Sequence, residues 1–161
     1  MNPPGILEAV RNLLDASQVQ YRLMHHEPTF TSEQSAAVRG EDIRIGGKAI
    51  MMKTDDSVRL FVLSAELRIN SKAVKKNLGV ANLRFATGDE LLALTGLVPG
   101  SVPPFGRPIL PFELYADPSV FENDRIAFNA GSLTDSIVMS TVDYRNLASP
   151  VVFSFALRPG H

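Results

Sequence analysis

The chain has 161 residues, 45% hydrophobic and 20% charged, with a net charge of −1, an ordinary makeup for a globular domain long enough to bury a core. It has no cysteine, which excludes disulfides, thiolate metal ligands and a cysteine nucleophile and fits a reducing cytoplasm. No apolar stretch approaches a bilayer span, and Met1-Asn2-Pro3-Pro4 lacks a basic region followed by an apolar run, so neither an anchor nor a signal peptide is expected.

Taken in order, Pro3-Pro4 followed by Ile6, Leu7, Val10, Leu13 and Leu14 predicts a helix with one apolar stripe, ending near Ala16–Gln18. Val19 to His25 reads as a strand broken by Glu27-Pro28. Thr31-Ser32-Glu33-Gln34 has capping-box spacing and opens a short helix from Ser32 to Arg39 that stops at Gly40. Lys48–Thr54 and Arg59–Ser64 flank Asp55-Asp56-Ser57 as a β-hairpin. Asn70 caps a helix from Ser71 to Leu78, ended by Gly79. Ala81–Ala86 is a short strand, and Thr87-Gly88-Asp89-Glu90 caps a helix ending at Gly96. Beyond it, Phe112–Ala116, Arg125–Asn129 and Ser136–Met139 read as strands, the last two joined by a turn over 130–135. Ser140–Asp143 caps a helix through Leu147, and Val151–Phe155 is a final strand or a tail that packs an edge. Short strands and helices without a strict βαβ rhythm predict a single α+β domain over residues 1–161 with a mixed sheet.

The stretch Gly96-Leu97-Val98-Pro99-Gly100-Ser101-Val102-Pro103-Pro104-Phe105-Gly106 fits neither helix nor strand. Pro99-Gly100 has the makeup of a type II turn, and Pro103-Pro104 stiffens the backbone just beyond it. Such a loop is suited to holding the amides of Gly100, Ser101 and Val102 free for an anion or a carbonyl oxygen.

Familiar motifs fail. Gly46-Gly47-Lys48-Ala49 lacks the Ser/Thr of a phosphate loop, and there is no Gly-x-Ser-x-Gly elbow. His25 and His26 alternate across a strand and do not converge on a metal, and His161 is terminal, so no metal and no cofactor is expected; a half-buried histidine bonded to backbone fits better. Lys48, after two glycines and before the apolar Ala49-Ile50-Met51-Met52, can place its ammonium on a phosphate or carboxyl group. Between Arg39 and Arg84, ten basic residues stand against five acidic, a local surplus fit to dock a polyanion.

Four stretches in this order resemble the YbaK / prolyl-tRNA synthetase-associated editing domain family, and most closely its free-standing YeaK-like members: His26-Glu27-Pro28-Thr29-Phe30-Thr31; Gly47-Lys48-Ala49-Ile50-Met51-Met52-Lys53; Leu94-Thr95-Gly96 into the proline loop; and Ile126-Ala127-Phe128-Asn129-Ala130-Gly131-Ser132-Leu133 with Ser136-Ile137-Val138. The resemblance implies a partly barrel-like mixed sheet flanked by short helices. It also implies hydrolysis of the ester between a wrong amino acid and the tRNA 3′-terminal ribose, in trans to the synthetase. By the same resemblance Lys48 orients the terminal nucleotide, Gly100 and Ser101 lie on the loop holding the ester, and Pro103, Pro104, Phe105 and Gly106 of that loop bind the substrate. Asn129, Gly131, Ser132 and Ser136 form a second wall, some relatives carrying aspartate at the position of Ser136. His25 and Thr31 belong to the first wall.

The residues offer no convincing activated nucleophile, which suits attack by water assisted by a substrate ribose hydroxyl, with position and backbone donors supplied by the protein. Arg68, Lys72, Lys75 and Lys76 are expected to hold acceptor-stem phosphates of a mischarged aminoacyl-tRNA. An aminoacyl-tRNA synthetase is a further expected partner. Two other uses fit the same pocket: a binding module for an amino acid or aminoacyl-nucleotide, and a hydrolase of another small ester or amide.

Overall fold

The computed structural model describes residues 5–158; the Pro3-Pro4 helix start and His161 lie outside them. Helix α1 (Ile6–Ala16) turns its stripe inward, burying Val10 and Leu14 completely. Strand β1 (Tyr21–His25) follows, two residues shorter than expected, with His26 just beyond it. Helix α2 (Ser32–Arg39) is capped by the Thr31 side chain, which accepts from Gln34 N, and ends at Gly40 with φ 68°. The reciprocal half of the expected capping box differs: Gln34 Oε1 accepts from Phe30 N at 2.8 Å, one residue before the cap.

Strands β2 (Gly47–Thr54) and β3 (Ser57–Ser64) pair along their whole length. At their turn, Asp55 has φ 52°, and its carboxylate accepts from Ala81 N and Asn82 N. Then come β4 (Arg68–Ile69), α3 (Ser71–Leu78), β5 (Leu83–Phe85), α4 (Gly88–Thr95) and β6 (Leu114–Ala116). The chain closes with β7 (Arg125–Asn129), β8 (Asp135–Ser140), α5 (Thr141–Ala148), β9 (Val151–Val152) and β10 (Ala156–Leu157). Asn70, Thr87 and Ser140 cap α3, α4 and α5 as the sequence predicts, and Thr87 completes its capping box with Glu90. The expected strand over 151–155 is instead split. The buried Asp117 carboxylate draws off Phe155 N and Ala156 N at 2.8 and 3.0 Å, so the chain leaves one sheet for another. Two 3-10 turns, Ile43–Ile45 and Pro118–Glu122, carry no periodicity long enough to predict.

The fold is α+β with a mixed sheet, and its strands divide into groups. A five-stranded sheet runs β5-β2-β3-β6-β9, parallel on its β3-β6-β9 side, and a three-stranded antiparallel sheet runs β1-β8-β7. A small pair joins β4 to β10. The two larger sheets meet where β2 approaches β7, through a single parallel bridge between Gly46 and Ala127. Gly47 makes that approach possible, since a Cβ there would lie 2.5 Å from Ile126 Cδ1. The main core lies between the sheets, with Leu60 and Val62 of β3 facing Phe128 of β7 and Ile137 of β8. Phe61 and Leu63 point the other way, into a second cluster with Val74 of α3 and Phe155. Burial on both faces explains why β3 reads as an unbroken apolar run. Among the described residues no helix is long and apolar enough to cross a membrane.

Candidate active site

The proline loop begins with the expected turn: Ser101 N donates to Val98 O at 3.1 Å around Pro99-Gly100, and Gly100 has φ 88°, the type II geometry. That bond corrects one expectation. The Ser101 amide is closed into the turn, and its hydroxyl donates to Val98 O at 2.8 Å, so Ser101 holds the loop's shape and presents no free donor. The amides of Gly100 and Val102 have no acceptor among the described residues. The loop's carbonyls are tied down: Gly100 O accepts from Asn129 Nδ2 at 2.7 Å, Ser101 O from Gly131 N at 2.9 Å and Pro104 O from Tyr144 Oη at 2.6 Å. Because N–H and C=O of a trans peptide point oppositely, binding Ser101 O to Gly131 turns Val102 N–H the other way. Pro103, Pro104, Phe105 and Gly106 are buried beneath, where Phe105 meets Phe128 and Tyr144 edge-on at 5.7 and 5.4 Å between ring centres.

Above this scaffold lies a cavity of about 220 Å³. It is lined by Gly46 and the start of β2 to Ile50, by α2 with the preceding Thr29–Thr31 segment, by Gly100 and Val102 of the proline loop, and by Ala127 and Asn129 of β7. Lys48, Gly100, Thr31 and Asn129 therefore line one space. Ser101, His25, Gly131, Ser132, Ser136 and the Pro103–Gly106 run do not line it. Lys48 is half-buried, with no hydrogen-bond or ion-pair partner among the described residues. Burial pushes its pKa down, and the charge of Arg68 pushes it further. Phe30 stands at the rim, 75% exposed.

Of the second wall Asn129 lines the cavity, and Gly131, Ser132 and Ser136 do not. His25 is exposed and sits 2.9 Å from Asp135 Oδ1, while Ser132 Oγ donates to Asp135 Oδ2 at 2.6 Å. Burial pushes the Asp135 carboxyl up, but hydrogen bonds from Ser132, His25 and Thr134 outweigh it and hold the carboxyl below its ordinary range. His26 is half-buried with its Nδ1 2.8 Å from Glu27 O; a carbonyl only accepts, so Nδ1 carries the proton. Its Nε2 is 2.7 Å from the fully buried Ser136 Oγ.

Sequence reasoning missed Arg39. At the end of a short helix it reads as a solvated partner for the helix C-terminus, yet it is only 8% exposed and lines the cavity. Its Nε donates to Ser136 Oγ and its Nη2 to Asn129 Oδ1, both at 3.0 Å. Burial pushes its pKa down to about 10 against the pull of Glu41. Glu41 itself is engaged by Arg22 at 3.0 Å and Arg125 at 2.6 Å. The run Arg39–Asn129–Gly100 thus joins helix, sheet and loop around one space. Arg68 on β4 and Lys72, Lys75 and Lys76 on one side of α3 are exposed, outside the cavity.

The aminoacyl-tRNA editing domain family model matches residues 26–147. The multifunctional Ser/Thr-tRNA deacylase ProXp-y of Escherichia coli K12 is 33% identical over 149 residues, covering 89% of this chain and 88% of its own. A proline–tRNA ligase of Shouchella clausii is 33% identical over 100 residues, which are 62% of this chain and 17% of the ligase. A solved structure described as a candidate trans-editing enzyme for prolyl tRNA synthetase superposes with a TM-score of 0.82 at 19% identity, covering 98% of this chain and 100% of that one, a likeness of fold.

Proposed function

This chain belongs to the aminoacyl-tRNA editing domain family, and from that premise we propose that it is a trans-editing deacylase, acting as one domain on mischarged tRNA. The observation that carries the reading is that Lys48, Gly100 and Val102 line a single cavity, and the amides of the latter two have no acceptor among the described residues. At ~30 Å³ per water the cavity has room for about seven waters, the scale of a small aminoacyl ester.

The terminal nucleotide enters past Phe30, on whose face its adenine stacks. Lys48 takes the terminal phosphate or ribose oxygens as a point charge. A water adds to the ester carbonyl carbon. The bond to the ribose oxygen then breaks, and that oxygen takes a proton relayed by the neighbouring ribose hydroxyl, releasing the amino acid. The loop amides, held by Asn129 and Tyr144 from beneath, face the oxygen on which charge develops. Serine and threonine are the first amino acids to test, since the Escherichia coli relative is described as acting on both. A small hydrolytic pocket supplies discrimination that binding alone, at about 1–3 kcal/mol per methylene, does not. The exposed Arg68, Lys72, Lys75 and Lys76 extend the positive surface from the cavity toward the acceptor stem. A synthetase as partner and a cytoplasmic location fit the same reading.

The test is a panel of mischarged tRNAs, seryl and threonyl forms included, each followed for loss of its amino acid. At least one is cleared by the wild-type protein, and Lys48→Ala slows that clearance at least 100-fold while thermal unfolding stays the same. Binding without clearance of any member would make the protein a binding module.

A further inference from the structure

Arg39 has three features that ordinary structural arginines do not combine. It is more than nine-tenths buried, the carboxylate whose field reaches it is occupied by Arg22 and Arg125, and it lines the cavity. No Arg39–carboxylate pair occurs among the described residues. A buried cation without a counterion is costly, and one aimed into a cavity is poised to meet negative charge brought by a ligand. Two of its nitrogens are committed to Ser136 and Asn129. The third, Nη1, has no acceptor among the described residues and lies beside Gly46, 3.8 Å from where a Cβ would stand. Gly46 lines the same cavity as Arg39, which places Nη1 at the cavity's border.

We propose that Arg39 is a catalytic residue of this site: its Nη1 meets the oxygen of the ester carbonyl as that oxygen gains negative charge, while Nε and Nη2 lock the guanidinium to the wall that positions the loop. This rests on the deacylase reading above. The division of labour follows from the chemistry of the two cations. Lys48 sits on a flexible stem, suited to a phosphate approached from several directions, whereas the guanidinium is planar and held at two points, so it needs no reorganisation when charge appears. Ser136, fully buried and away from the cavity, is then a positioning residue acting through Arg39 and Asn129.

Two measurements test this. In single-turnover and steady-state deacylation, Arg39→Met lowers kcat about 100-fold or more with KM changed less than threefold, the size expected for one lost oxyanion donor. Its unfolding temperature moves by only a few degrees, because removing a buried charge without a counterion offsets the loss of the hydrogen bonds to Ser136 and Asn129. Added guanidinium ion restores part of the rate to Arg39→Ala, which a structural role would not produce. The second measurement needs no turnover: calorimetric binding of an adenosine carrying an anionic phosphonate mimic of the tetrahedral intermediate, against the neutral 3′-amide analogue. Wild type prefers the phosphonate at least tenfold, Lys48→Ala keeps the preference, and Arg39→Met loses it. Equal affinities in the wild type, or an unchanged kcat in Arg39→Met, overturn the assignment. If the wild type clears no charged tRNA but still prefers the phosphonate, the deacylase reading fails and the anion contact at Arg39 stands.

Discussion

Asn129→Asp separates what holds the fold from what holds the loop. The native amide donates through Nδ2 to Gly100 O at 2.7 Å and accepts through Oδ1 from Arg39 Nη2 at 3.0 Å and Ser136 Oγ at 3.2 Å. A carboxylate of the same shape keeps both acceptor contacts and makes the one to Arg39 charge-assisted, a gain of about 1 kcal/mol. It also loses the donor to Gly100 O, a cost of about 1 kcal/mol. The two nearly cancel, and at this chain length Tm should move by no more than about 4 °C. The loop does not escape so easily. Two acceptor oxygens repel at hydrogen-bond distance, and a displacement of about 1 Å at the Gly100 and Val102 amides is enough for a rate loss near 100-fold. Asn129→Ala is the contrast. It leaves Arg39 Nη2 and Gly100 O without this partner and should cost about 2–3 kcal/mol. Thermal unfolding and single-turnover deacylation on both variants decide the matter. An aspartate variant that turns over at the wild-type rate, or that melts as low as the alanine variant, would refute the reasoning.

Changing Lys72, Lys75 and Lys76 to glutamate should weaken tRNA binding and flatten its dependence on salt. At about 0.9 of slope per phosphate contact, the loss is about 2 to 3 in the log–log plot from fluorescence anisotropy across salt concentrations, and an unchanged slope would move the RNA surface elsewhere. Tyr144→Phe tests the loop's underside. The hydroxyl is fully buried on Pro104 O at 2.6 Å, and burial pushes its pKa far above the usual value, so it stays a donor. Phenylalanine keeps the ring against Phe105 and leaves the carbonyl unpaired, costing about 1–3 kcal/mol. Calorimetry should show a Tm lower by about 2–4 °C per kcal/mol, and an unmoved transition would remove Tyr144 from the scaffold.

The legible parts of this chain are those decided within a few residues. Asn70, Thr87 and Ser140 cap their helices with side chains three or fewer positions from the amides they take, and Gly40, Gly79 and Gly96 end helices through their own φ. Pro99-Gly100 sets its turn unaided. The resemblance then brought Lys48, Thr31, Gly100 and Asn129 to one place. Arg39 could not be found this way, because the Ser136 hydroxyl to which it donates lies 97 residues further along. Ser101 was misjudged for the opposite reason: its backbone and hydroxyl both return to Val98, too short a loop for periodicity to register. The split of β9 from β10 likewise waits on Asp117, a carboxylate whose reach across 38 positions leaves no local trace.

Among the described residues one backbone bridge, between Gly46 and Ala127, joins the two larger sheets, and both residues border the cavity. Its width is therefore governed by how far apart the sheets are propped, which the inward layer of Val62, Ile126 and Phe128 decides. Enlarging or trimming those side chains would resize the chamber without touching its lining. Preference for one amino acid over another can thus drift through exchanges that look, by position, like mere upkeep of the interior.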